Sequence, residues 1–366
     1  MLNVGIIGTG FGQKIHLPAV QAHPETQAIA LWNRDPAKAQ ALAQKHEIPH
    51  GSDRLADLLA LPDLNAVMIS TPPFLHYEMA RAALEAGKHI VLEKPLTLNV
   101  QEAQELYRLA QSKGLVAIAD FEFRFVPLWQ QAAQLLKSGA VGHKRLIKID
   151  WLVPGRADPE RAWNWYARQD QGGGILGAIG SHVFDYIHWL FGDVQRLSAQ
   201  MSCAIASRPD PNDGGKPKPV DAPDVVNLML QLTDGTPVQV SLSSATYEGR
   251  GHWLEVYGDD GTLVLGSDNL KDYVHGFRLW HAPAGQSLQE IPVPSQLDFP
   301  KVFPDGRLAP VLRVVDHWLH CIQTQTVIAP SLREGVLSQL LMDLTVRSHQ
   351  QQQWVNVPNY SQFLGE

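Results

Sequence analysis

Cysteine is nearly absent from this chain: two residues among 366, Cys203 and Cys321. They stand far apart and match no metal or disulfide spacing, so a disulfide scaffold is excluded and a reducing compartment is expected. No run of about 18 apolar residues occurs, which excludes a membrane-spanning helix. No basic segment followed by a small-residue cleavage site opens the sequence, and a cytoplasmic protein is expected. Positive charge is short as well. Thirty Lys and Arg face 37 Asp and Glu, for a net charge of -7 with no basic block. Nucleic acid is therefore a poor partner for this surface. The length exceeds what one compact core usually holds, so two domains are expected.

Glycine is present where it matters. The opening run Val4-Gly5-Ile6-Ile7-Gly8-Thr9-Gly10-Phe11-Gly12 reads as a buried strand entering a tight turn, followed by a helix that begins near Gln13. Such a turn lets the backbone approach a pyrophosphate at a helix N-terminus, which makes Gly8, Thr9, Gly10, Phe11 and Gly12 candidate cofactor contacts. The full fingerprint asks for a third glycine at position 13, where this chain has Gln13, and places Gly12 one residue early. Strand and helix signals then alternate to about residue 120. Strands are expected at Ala28–Trp32, Ala66–Ser70, His89–Leu92 and Leu115–Ala119. Gly87 closes one helix, and Asn99 with Glu102 forms a capping box for another. Repeated βα units imply an α/β domain over 1–120, a doubly wound parallel sheet that binds ligands at the C-terminal ends of its strands.

Three further segments of this half carry chemistry. Asn33-Arg34 stands where an acid commonly holds the ribose 2′-hydroxyl of NAD. Asn33 does not repel a 2′-phosphate and Arg34 can pair with one, so NADP is favoured over NAD, unless Asp35 takes the acidic role late. Ser70-Thr71-Pro72, with His76 behind it, ends the next strand. Glu93-Lys94-Pro95 ends the one after, placing Lys94 to serve as a general acid or base, and Lys-Pro permits a cis peptide.

After Asp120 the alternation stops, and 121–366 is read as a second domain. Asn227–Leu232, Val238–Leu242, Trp253–Tyr257 and Thr262–Leu265 read as an antiparallel meander. Ser207–Pro223 reads as a long polar loop and the chain's candidate for a mobile segment. The segment near Val311 to Gln323 is an amphipathic helix. Gly172-Gly173-Gly174 suits a loop close to a ligand, and helical spacing over Ile175–Leu190 sets Ala178, His182 and Asp185 along one side. His182 beside Asp185 reads either as a tuned proton relay or as a hydrogen-bonded structural histidine beside a surface acid. Arg124 and the aromatics Trp163, Trp165 and Tyr166 are candidates for shaping a pocket, or simply core. No metal spacing is apparent.

Taken in order, these motifs resemble the Gfo/Idh/MocA oxidoreductases, the glucose-fructose oxidoreductase and inositol dehydrogenase family. The likeness rests on Gly8-x-Gly10 with His16-Leu17-Pro18, Ser70-Thr71-Pro72-Pro73 with His76, Glu93-Lys94-Pro95, and Gly172-Gly173-Gly174 followed by Gly180-Ser181-His182-x-x-Asp185. Leu332-Arg333-Glu334-Gly335 and Trp354-Val355-Asn356-Val357-Pro358 extend it nearly end to end. The resemblance implies a Rossmann domain, then an α+β domain with a large open, mainly antiparallel sheet and C-terminal helices packing back toward the Rossmann domain. It also implies hydride transfer between NAD(P) and a carbinol carbon of a sugar, cyclitol or derivative, with Lys94 and His182 facing the substrate. Association as a dimer or tetramer through the open sheet is implied too. One departure matters. Many members carry Asp four residues before the histidine, where this chain has Ala178, so Asp185 or Tyr166 would have to act from another direction. A cofactor-retaining internal-redox enzyme, whether a transferase or a glycoside-cleaving enzyme, and a non-enzymatic NAD(P)-binding regulator stand as alternatives.

Overall fold

The computed structural model describes residues 1–270 and 274–366. They fall into two units, 1–122 with 303–339 and 123–302 with 340–366. Residues 303–339, from the stretch 121–366 read as the second domain, group with the first unit. Among the described residues no helix is long and apolar enough to cross a membrane.

The first unit alternates β1 (Leu2–Ile7), α1 (Leu17–Ala22), β2 (Thr26–Trp32), α2 (Pro36–Lys45), β3 (His50–Ser52), α3 (Leu55–Leu59), β4 (Ala66–Ile69), α4 (His76–Glu85), β5 (His89–Leu92), α5 (Val100–Ser112) and β6 (Ala117–Ala119). The strands form one parallel sheet in the order β3-β2-β1-β4-β5-β6. Their unbroken apolar runs follow from this position. Ile6, Ile7, Val67, Met68, Ile90 and Val91 are all fully buried, as expected when helices cover both faces. The order reverses between β1 and β4, and a doubly wound sheet opens its ligand crevice at such a reversal. The capping box is half formed. Asn99 Oδ1 accepts from the Glu102 N–H at 3.0 Å, but Glu102 reaches back to the Leu98 N–H at 3.2 Å.

The second unit begins with α6 (Pro127–Lys137), β7 (Lys144–Leu152), α7 (Ser181–Phe191) and β8 (Val194–Ser202). β9 (Ser207–Pro209) and β10 (Pro217–Pro219) pair as an antiparallel hairpin, so the expected polar loop is folded. Its anchor is Arg208, which is 4 % exposed and bonded to two backbone carbonyls. β11 (Val225–Leu232), β12 (Pro237–Ser243), β13 (Gly251–Gly258), β14 (Gly261–Ser267), β15 (Arg278–Pro283) and β16 (Gln289–Ile291) follow. After them come α8 (Leu308–Thr324) in the first unit, α9 (Leu332–Gln351) across the division, β17 (Val355–Asn356) and α10 (Tyr360–Leu364). The large sheet has nine strands, β16-β15-β14-β13-β7-β12-β11-β8-β17. It is not the continuous meander expected, because β7 inserts between β12 and β13, parallel to the first and antiparallel to the second. β7 reads Lys-Arg-Leu-Ile-Lys-Ile-Asp-Trp-Leu, and its alternation buries Ile147, Ile149 and Trp151 on one face.

Candidate functional site

In the first unit the glycine turn leaves β1 at the sheet's reversal point. Gly8 has φ +106°, and a Cβ there would lie 2.8 Å from the Ser70 carbonyl. A Cβ on Gly12 would strike Ser70 Oγ at 2.4 Å. These two glycines therefore pack the turn against the end of β4. Gly10 differs: a Cβ there would meet nothing within 4 Å. The turn is braced at both ends and open in the middle, a backbone cradle that fits a dinucleotide pyrophosphate. A π-helical turn, Gly12–His16, then leads into α1. The Gln13 side chain turns aside to His46 Nε2, 3.3 Å away.

Around the cradle, Asn33 Nδ2 donates to Thr9 Oγ1 at 2.5 Å, and Asn33 Oδ1 accepts from the Asp35 N–H at 2.9 Å. Asp35 is the N-cap of α2, its carboxylate accepting from the N–H groups of Ala37 and Lys38, while Arg34 is exposed. Phe11 lies edge-on to His16 at 5.2 Å, with the Arg307 guanidinium 5.4 Å from its ring centre. Ser70 Oγ donates to Ile7 O, and the extended backbone at Pro72 carries the chain away from β4. His76, expected at the cofactor, braces the exit of β4. Its ring is 1 % exposed, with Nε2 2.7 Å from Thr71 O and Nδ1 2.9 Å from Pro95 O. That ties the exit of β4 to the Lys94–Pro95 peptide, which is cis.

Lys94 is half-buried beside a group of buried ionisable residues that sequence reading did not place together. His16 Nε2 lies 3.0 Å from Asp120 Oδ2 and 3.3 Å from Glu93 Oε1. Glu93 Oε2 accepts the Lys94 N–H at 3.2 Å. The three donor groups lie within 4.8 Å of one another, a spacing compatible with a metal ion. Charge favours another description. Burial works against a charged imidazole, but the hydrogen bonds and charges of Asp120 and Glu93 outweigh it and hold the His16 pKa up at about 9. With no metal bound, the protonated ring donates to both carboxylates and supplies the positive charge between them. Burial, then the neighbouring carboxylates, pushes Asp120 to about 6 and Glu122 to about 8. Lys94 acts in the opposite sense on Glu93 and Glu122. Asp120 and Glu122 directly follow β6, as Glu93 and Lys94 follow β5. That shared position was the available sequence signal.

In the second unit a π-helical turn, Leu176–Gly180, precedes α7, so Ala178 and His182 lie on differently wound segments rather than on the single α-helix expected. His182 is 3 % exposed and lies edge-on to Phe123 at 5.0 Å. Trp151 lies beyond it, 6.3 Å away, and stacks on His252 at 3.8 Å. Burial pushes the His252 pKa down to about 3, so this ring is neutral and packs as an aromatic. Asp185 is held by Arg124, Nε to Oδ2 at 2.9 Å and Nη2 to Oδ1 at 2.6 Å. Both are buried, and the Arg124 guanidinium lies 5.5 Å from the Trp189 ring centre. Arg124, a candidate for shaping the pocket, and Asp185 thus form a buried bidentate ion pair. Trp163 donates its indole N–H to Pro219 O at 3.0 Å and is covered by Lys218 Nζ at 3.7 Å. Its work is to hold the β9–β10 hairpin. Trp165 lies against Tyr166, whose ring faces Arg156.

Residues 2–121 match the model of an oxidoreductase family with an NAD-binding Rossmann fold, and residues 133–357 match that family's C-terminal alpha/beta domain. The chain is 57% identical over 365 residues to an uncharacterized oxidoreductase of Synechocystis sp., covering 100% of this chain and 98% of that protein. It is 28% identical over 406 residues to the levoglucosan dehydrogenase of Pseudarthrobacter phenanthrenivorans, covering 98% and 99%. A solved levoglucosan dehydrogenase in complex with NADH and L-sorbose superimposes with a TM-score of 0.88 at 26% identity, covering 99% of this chain and 100% of that one.

Proposed function

The chain belongs to the Gfo/Idh/MocA oxidoreductase family, and from that premise we propose that it transfers hydride between NAD(P) and a carbinol carbon of a sugar, cyclitol or derivative. The observation that carries the reading is the glycine turn, braced at Gly8 and Gly12 and open at Gly10 at the reversal point of the sheet. A bound nicotinamide supplies the hydride acceptor or donor. The chain's own residues handle the proton. Lys94 exchanges it with the reacting hydroxyl, and the buried Glu93 next to it, held below its usual value, supplies the negative charge that Ala178 cannot. His182 is the second acid–base group, held in its aromatic setting by Phe123.

Lys94→Ala and His182→Ala are each expected to lower kcat on the order of 10²–10⁴-fold while the dinucleotide still binds. Unchanged turnover in either removes that residue from the proposal.

The cofactor reading favours NADP. Asn33 is neutral and turned to Thr9, and the nearest carboxylate, Asp35, is engaged in capping α2. Asn33→Asp is expected to shift the ratio of kcat/KM for NADP over NAD toward NAD by about tenfold, since a carboxylate there repels a 2′-phosphate. A ratio that does not move contradicts the preference.

A further inference from the structure

Arg156 follows β7 in the second unit, and its guanidinium lies 3.8 Å from the centre of the Tyr166 ring. Its backbone is fixed at both ends. The N–H donates to Ser244 O at 2.7 Å, and the carbonyl accepts from Nη2 of buried Arg208 at 2.6 Å. Arg208 Nη1 in turn reaches Asp158 O at 2.6 Å, and Arg161 Nη1 donates to Gly155 O. The two flanking arginines thus have carbonyl acceptors. The Arg156 guanidinium has no hydrogen-bond acceptor and no carboxylate partner among the described residues.

The surrounding charges leave it uncompensated. Burial lowers its pKa to about 10; of the groups acting on it, Arg161 and Arg208 push the same way and only the Tyr166 hydroxyl opposes them. The acids of these loops are engaged elsewhere. Asp158 accepts from the Glu160 N–H at 2.9 Å, and Asp224 accepts from the N–H groups of Ala204 and Ile205 at 2.6 and 3.1 Å. A planar guanidinium stacked on an aromatic face keeps its edge donors in plane, aimed outward in the fork that matches a carboxylate or phosphate. The same unit carries His182. The Gly174 N–H donates to Tyr166 O at 3.0 Å, and a Cβ on Gly173 would lie 2.3 Å from that oxygen. The Gly172-Gly173-Gly174 run therefore pins Tyr166 to the segment that leads into α7.

We propose that Arg156, backed by Tyr166 and flanked by Arg161 and Arg208, binds an anionic group on the substrate, a carboxylate or a phosphate, so that the compound oxidised is a sugar acid or a sugar phosphate. The word substrate rests on the dehydrogenase reading above; the anion site does not. Titration calorimetry on protein saturated with NADPH, so that the glycine turn is filled, tests it with three probes: D-gluconate, D-glucose 6-phosphate and D-glucose. At least one anion is expected to bind about tenfold or more tightly than glucose, Arg156→Gln to lose that advantage, and Arg156→Lys, which keeps the charge without the planar fork, to retain only part of it. The stronger of the two anions identifies the group. Equal binding of glucose and both anions to the unmodified protein overturns the proposal. So does Arg156→Gln binding the anions unchanged, provided its thermal midpoint matches the unmodified protein. In parallel assays with NAD and NADP, anion binding through Arg156 with no nicotinamide reduction by any neutral or anionic compound keeps this site and removes the dehydrogenase reading, whereas turnover of neutral sugars alone does the reverse.

Discussion

His16 holds a positive charge with a side chain that water does not reach. Such a charge persists only because Asp120 and Glu93 lie within 3.3 Å, and it makes the fold sensitive to alkali in a direction that can be worked out. A histidine raised from 6.5 to about 9 contributes stability that is full below about 6.5 and lost as pH climbs through about 9. Asp120 and Glu122, raised to about 6 and about 8, act in the same sense, because the native protein keeps protons that the unfolded chain has released. Glu93, held below its usual value despite its burial, opposes them by itself. The thermal midpoint is therefore expected to fall from pH about 6 to pH about 9. Glu122→Gln should remove part of that fall, on the order of 1 kcal/mol or more. A midpoint that stays flat or rises over this range contradicts the buried-charge account. Sequence reading saw His16 and Glu93 only as members of separate motifs. Their meeting with Asp120 needs β1, β5 and β6 placed side by side, and spacing along the chain does not report that.

At the scale of the element, the glycine turn makes a prediction that separates packing from binding. Gly12→Ala forces a methyl against Ser70 Oγ and is expected to cost about 1–3 kcal/mol of stability. Gly10→Ala meets open space, so it should leave the melting temperature unchanged and weaken dinucleotide binding by about tenfold or more. Equal binding by Gly10→Ala and the unmodified protein would remove the cradle. Periodicity made the βα units legible: β1, β2, β4 and β5 and the caps at Gly87 and Asn99 stand where their residues place them. Other elements were hidden by what decides them. The insertion of β7 between β12 and β13 depends on pairing over about a hundred residues of chain, and the alternation of Ile147, Ile149 and Trp151 reports a strand but not its neighbours. The β9–β10 hairpin is held by Arg208 on distant carbonyls, so its proline-rich composition read as a loop. The π-helical turns before α1 and α7 leave no mark in the 3.6-residue period that announces the helices themselves.

For the molecule as a whole, family and fold class follow from the order of short motifs, while the use of individual side chains does not. Asp185 lies one turn from His182 in sequence, yet the fold gives its carboxylate to Arg124. Trp163 has a face suited to a sugar ring, yet Lys218 lies on it. Both outcomes depend on partners from other elements. On the proposed reading the first unit carries the dinucleotide cradle and Lys94, and the second carries His182 and Arg156. The claim that joins them is nicotinamide-dependent oxidation of a carbinol, and steady-state nicotinamide absorbance tests it most directly. Purified protein, freed of carried-over dinucleotide, is assayed with NAD and with NADP against neutral sugars, cyclitols, sugar acids and sugar phosphates. The account predicts net reduction with at least one of these compounds, faster with NADP than with NAD. Tightly held dinucleotide that cycles without net reduction, or no reduction with any of them, would contradict it.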